Sequence, residues 1–177
     1  MNTMKKIIIL ILLISPFWAQ AQGTALTKFY DQYSGQEGYT SVYVTKYTFE
    51  LFKKIENAQE GKDFDEVVTK LKAIKILAPD SVKHITTNGS FLKDLHKALP
   101  DAQYKDLMIV RDGPETISFM VREDGPKISE FVMTIEGDGA PFLLFLEGDI
   151  DLNEIAKLSR TLDINGFQHL DKLKDKN

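Results

Sequence analysis

The residues in this chain best able to do chemistry are Glu147, Asp149 and Asp151, three carboxylates at every second position, with Asn153 and Glu154 beside them. Such spacing resembles the opening of a calcium loop. An EF-hand frame needs a glycine at its sixth position and a bidentate glutamate at its twelfth. Starting at Glu147, those positions hold Leu152 and Leu158; starting at Asp149, they hold Glu154 and Arg160. Neither frame fits, so no metal is assigned here. Two other uses remain. Asp149 and Asp151 form a candidate acid–base pair for a small carboxylate-dependent hydrolase. The plainer reading ends a strand at Gly148, exposes Asp149, and lets Asp151 cap a final helix with Glu154.

Other chemistries lack their residues. The chain has no cysteine, which removes thiolate catalysis, thiolate metal sites and disulfides. His84, His96 and His169 are too scattered for a zinc-binding helix, and His96 reads as a flank residue of a helix. Ser90-Phe91-Leu92-Lys93 matches the Ser-x-x-Lys pattern of penicillin-recognising enzymes, but the companion Ser-Asp-Asn and Lys-Thr-Gly elements are absent. The alternative role for Ser90 is as a helix cap. Nothing in the sequence implies a cofactor. Tyr30, Tyr33, Tyr39, Tyr43 and Tyr47 crowd one stretch, where aromatics serve as core and rim or line a groove. For a binding surface, Tyr43 and Tyr47 are the two expected to be exposed.

The elements that position these residues follow from hydrophobic periodicity. Leu26, Phe29, Tyr30 and Tyr33 share one helical face before Gly35 and Gly38. Tyr39 to Lys46 alternates as a strand, and Phe49, Phe52 and Ile55 mark a short helix. Asp63 and Glu66 have capping-box spacing for a helix whose inner face is Phe64, Val67, Val68 and Leu71. Ala73 to Leu77 is a compact strand stopped by Pro79. A helix from about Ser90 to Leu99 turns Leu92, Leu95 and Leu99 inward and stops at Pro100. Strands Leu107–Arg111, Ile117–Val121, Phe131–Ile135 and Phe142–Leu146 are joined by turns containing Gly113, Gly125 and Gly137, an antiparallel meander. Phe142–Leu146 is apolar at every position, the pattern of a central strand covered on both faces or of one tightly packed at its flank. Ile155, Leu158 and Leu162 line a last helix. The expected fold is α+β, a two-layer sandwich of an antiparallel sheet ending in a four-strand meander and packed against helices.

At the N-terminus, Lys5 and Lys6 precede the aliphatic run Ile7–Ile14, and Ala19-Gln20-Ala21 supplies a small-x-small site. That is the organisation of a cleavable signal peptide over residues 1–21, followed by a single domain over 22–177. At a rise of 1.5 Å per residue the run is far short of the roughly 20 residues a membrane crossing needs, so no stable span is expected after cleavage. The 177-residue chain carries 22 Lys+Arg against 26 Asp+Glu, a net charge of −4, and losing Lys5 and Lys6 makes it more acidic. An acidic domain is repelled by nucleic acid, which is set aside as a partner.

Taken together, the opening helix Leu26–Tyr33, Val42-Tyr43-Val44 leading to Phe49-Glu50-Leu51-Phe52, the segment Leu71–Leu77, and the run from Leu107-Met108-Ile109-Val110 to Gly148-Asp149-Ile150-Asp151-Leu152 resemble a family of small secreted proteins of Gram-negative envelopes. This is the domain-of-unknown-function family 4252. The resemblance implies a signal peptide, an α+β domain and a setting near extracytoplasmic-function sigma factor loci, and it brings no catalytic residue. The expectation is therefore an exported, periplasmic or secreted, non-enzymatic module that binds an envelope protein or small ligand through Tyr43, Tyr47, Asp149 or Asp151. The alternatives are the carboxylate hydrolase and a carrier of an apolar ligand held between the sheet and the Leu26–Tyr33 helix.

Overall fold

A computed structural model describes residues 23–55, 70–81 and 90–152. The expected signal segment, the expected Asp63 capping box and the part of the expected C-terminal helix from Asn153 onward lie outside those residues.

Helix α1 (Ala25–Tyr33) leads to strand β1 (Tyr39–Thr45), helix α2 (Lys46–Ile55), strand β2 (Leu71–Pro79) and helix α3 (Phe91–Ala98). Strands β3 (Lys105–Asp112), β4 (Glu115–Asp124), β5 (Lys127–Glu136) and β6 (Phe142–Ile150) follow. All six strands form one antiparallel sheet in the order β1-β2-β6-β5-β4-β3. The expected α+β class and the four-strand meander are both present. β6 lies between β2 and β5, which explains its uninterrupted apolar run: Leu143, Leu144, Phe145 and Leu146 are all buried.

Alternation along the inner strands divides the core in two. Val132, Leu143 and Phe145 face one way and pack with Leu26, Phe29, Tyr30 and Tyr33 of α1 and with Phe91, Leu95 and Ala98 of α3. Phe119, Phe131, Met133, Leu144 and Leu146 face the other way and pack with Phe49 of α2. A sheet with two apolar faces must be covered on both, so α2 sits opposite α1 and α3. The hairpins β3–β4 and β4–β5 each turn on a Gly-Pro pair, with φ of +57° at Gly113 and +61° at Gly125. Glycine supplies the positive φ and proline fixes the next residue, the requirement of a II′ turn, whose twist matches the strands it joins.

Several local expectations are corrected. Leu71 opens β2 rather than closing a helix face. β6 continues through Gly148 to Ile150, with Leu71 opposite Gly148 across a register shift. The cause is steric: a Cβ on Gly148 would lie 2.4 Å from the Lys70 carbonyl oxygen and 2.8 Å from Leu71 Cα. Only glycine lets the two backbones approach and keep pairing. In α3 the buried face is Phe91, Leu95 and Ala98, with Leu92 and Leu99 half-buried, a frame shifted by one residue. Ser90 occupies the N-cap position, but its backbone is helical and its side chain makes no capping bond. Its hydroxyl instead meets the Tyr33 hydroxyl at 3.0 Å.

Candidate functional site

The strongest chemical feature of the structure is a row of charged side chains across the face that carries α1 and α3. Lys75 sits in the middle of β2, in the run Ala73-Ile74-Lys75-Ile76-Leu77, and only 5% of its surface is exposed. Its Nζ donates to Glu147 Oε1 on β6 at 2.8 Å. The same ammonium lies 5.0 Å from the ring centre of Phe145, 5.3 Å from that of Tyr43 and 5.5 Å from that of Tyr30. A buried cation is costly unless paired, and here a carboxylate and three ring faces take the place of water. Thr27, in the first turn of α1, donates its hydroxyl to the same Glu147 oxygen at 3.1 Å.

Glu147 stands opposite Glu130 in the β5–β6 register. Two adjacent carboxylates would repel, and each is drawn to a cation on its far side. Glu130 is almost wholly buried, receives the Arg122 guanidinium of β4 at 2.8 Å and accepts the Tyr104 hydroxyl at 2.6 Å. Burial, together with donation to Glu130, pushes the Tyr104 hydroxyl far above the usual phenol range, so it remains a donor at any physiological pH. Burial pulls the Arg122 guanidinium down, and Glu130 more than offsets it, leaving the group raised. The row Lys75, Glu147, Glu130, Arg122 runs over β2, β6, β5 and β4, with one ion pair joining β2 to β6 and another joining β5 to β4.

These residues were not singled out from sequence. A signal did exist, because Lys75 and Glu130 interrupt apolar strands, where an ionised side chain is tolerated only with a partner. Finding the partner required the register.

The expected site residues lie at two other places. Tyr43 on β1 and Tyr47 at the start of α2 are exposed, at 58% and 65%. Val42 and Leu51 are exposed with them, so residues 42 to 51 carry four of the five exposed large hydrophobics among the described residues. Tyr43 is not free of the core, since one side of its ring lies over Lys75 and against Tyr30. Tyr30 also anchors this edge by donating its hydroxyl to the Val42 carbonyl at 3.0 Å.

Asp149 and Asp151 do come together, lining an open cleft of about 370 Å³ with Lys70, Lys127, Ile128 and Ile150. Asp149 pairs with Lys127, and both side chains are at least half exposed. Solvent screens such a pair, so the cleft offers mixed charge at the surface rather than an enclosed acid–base site. His96 is the exposed flank residue expected, and its Nε2 lies 2.8 Å from Glu136. Among the described residues no group of histidines and carboxylates converges as a metal site.

The space considered for an apolar ligand, between α1 and the sheet, is filled by side chains. Tyr30 meets Phe145 edge-on at 6.0 Å, and Phe29 and Tyr33 close on Phe91 at 5.2 and 5.1 Å. Leu26, Leu143 and Val132 are sealed beneath them.

An α+β sheet of this order, with an exposed aromatic edge and its buried charges paired internally, defines a small single-sheet module. Residues 33–158 match the sequence profile of the domain of unknown function DUF4252, and the chain belongs to that family. No curated protein and no solved structure matches it.

Proposed function

We propose that this protein is an exported, non-enzymatic binding module of the cell envelope that docks a protein partner along β1 and the start of α2. One observation carries the reading: Val42, Tyr43, Tyr47 and Leu51 are exposed on consecutive elements at one edge of the sheet. Tyrosines with one apolar face and a polar tip are the side chains enriched at protein interfaces. The basic-then-aliphatic N-terminus supports export. The test is photo-crosslinking in intact cells, with a photoreactive residue placed in turn at Tyr43, Tyr47 and exposed Asp138. Adducts to protein from the first two and none from Asp138 are expected. Equal labelling from all three would overturn the reading.

A second reading keeps Asp149 and Asp151 as an acid–base pair, because both line the cleft with Lys70 and Lys127. It requires an activity that Asp149→Asn abolishes while the fold stays intact.

A further inference from the structure

The two edges of the sheet are built differently. β3 carries Lys105, Asp106, Arg111 and Asp112, and its pairing with β4 is broken by a bulge between Asp106 and Met108. Charges and bulges are how proteins keep an outer strand from pairing with another chain. β1 has neither. Tyr39–Thr45 contains no charged residue and no proline, and its register against β2 runs without a shift from Tyr39↔Pro79 to Thr45↔Ala73.

The direction of its backbone groups follows from one bond. Asp80 N–H donates to the Gly38 carbonyl at 2.9 Å, which makes Gly38 and Asp80 a hydrogen-bonded pair. Antiparallel ladders alternate, so Thr40, Val42 and Val44 also turn their backbone groups toward β2. Ser41 and Tyr43 turn their N–H and C=O groups outward.

We infer that β1 pairs antiparallel with β1 of a second copy of this chain about a two-fold axis through Val42, joining two sheets into one. This deepens the reading of β1 as the docking edge and rests on it. The register is chosen by the outward groups. Centring on Val42 sets Ser41 opposite Tyr43 of the second copy, and Tyr43 opposite Ser41, so their free N–H and C=O groups satisfy one another. Val42 then meets Val42 of the second copy in the closer, non-hydrogen-bonded spacing. The flanking charges agree, because Lys46 follows the end of β1 where Glu37, two residues before the start of β1, approaches in the second copy. Both of those charged residues are exposed and opposite in sign. An isologous interface of this kind must be complementary to itself, and an uncharged strand between a Glu and a Lys meets that condition.

The absence of cysteine makes the test direct. Protein made from the full-length coding sequence with Val42→Cys should give a disulfide-linked dimer under mild oxidation, since facing positions of this kind lie within disulfide reach. Ile109→Cys, exposed on the opposite edge, should not. By sedimentation, the unsubstituted protein should be dimeric. Val42→Lys and Val42→Glu should each dimerise about tenfold more weakly or worse, and mixing the two should restore a dimer. A monomeric unsubstituted protein, equal disulfide yields at Val42 and Ile109, or no recovery on mixing two variants with native circular dichroism would overturn the inference. If the protein is monomeric while Tyr43 still crosslinks to a different protein, only the identity of the partner falls. Loss of both results removes the docking edge itself.

Discussion

Tyr104 donates to buried Glu130 and buried Lys75 to half-buried Glu147, and their substitutions should separate charge from volume. Tyr104→Phe keeps the ring and removes the donor at 2.6 Å from buried Glu130. Hydrogen bonds to charged groups contribute more than neutral ones, so a loss of about 2 kcal/mol is expected in urea unfolding. A change near zero would mean that Arg122 alone suffices for Glu130. At Lys75 the long stem fills space among Tyr30, Tyr43 and Phe145 while the ammonium meets Glu147. Lys75→Met keeps most of that volume, and the half-buried Glu147 can recover water, so a cost of about 1 kcal/mol is expected. Lys75→Ala also empties the space between the rings and should cost about 3 kcal/mol. Equal costs for the two would show that the ion pair, not the packing, is what matters.

Among the elements, the junction of β2 and β6 brings two backbones close together at Gly148. The Gly148 backbone lies so near Lys70 and Leu71 that any Cβ would collide with main chain rather than with a yielding side chain. Gly148→Ala should therefore cost about 2 kcal/mol or more, and hydrogen exchange should quicken at the ends of β2 and β6 before it changes in the β3–β4 hairpin. Uniform loss of protection would contradict a local origin. α1 is fixed to its neighbours by tyrosine hydroxyls as well as by its apolar stripe: Tyr33 donates to Asp94 on α3 at 2.8 Å, and Tyr30 donates to the Val42 carbonyl. The residue type and position of Ser90 fit a helix cap. In the fold, a tyrosine from another helix reaches its hydroxyl, a contact no local pattern carries.

For the molecule as a whole, three tyrosines bias stability in one direction. Burial raises Tyr33, Tyr39 and Tyr104 above the ordinary value of 10.0, with donation to Glu130 adding to the shift at Tyr104. In the unfolded chain these phenols lose their protons first. Above pH 10 the native state then holds more protons than the unfolded state, and the free energy of unfolding falls as pH rises. Their contribution is complete below pH 10 and lost through the higher folded values. The thermal midpoint should drop above pH 10, and Tyr104→Phe should make that drop shallower. A midpoint that rises in this range would refute the sign.

Much of this architecture was legible in the chain. The 3.6-residue stripe of α1, the alternation of β4, the Gly-Pro turns and the unbroken apolar run of β6 are local consequences of burial and backbone geometry, and each reads correctly from neighbours in sequence, whereas β5 is buried on both faces from Glu130 to Thr134. The exposure of Tyr43 and Tyr47 was also expected from the pattern, whereas the cleft that Asp149 and Asp151 line appears only in the fold. Tertiary structure alone decided that Lys75 meets Glu147, that Glu130 lies between Arg122 and Tyr104, and that β1 and β3 are the two edges of the sheet. Those facts depend on strand order and register, which bring together residues far apart in the chain. A sequence states the type of every side chain, but the partner that makes a buried charge tolerable is set by how the strands are laid side by side.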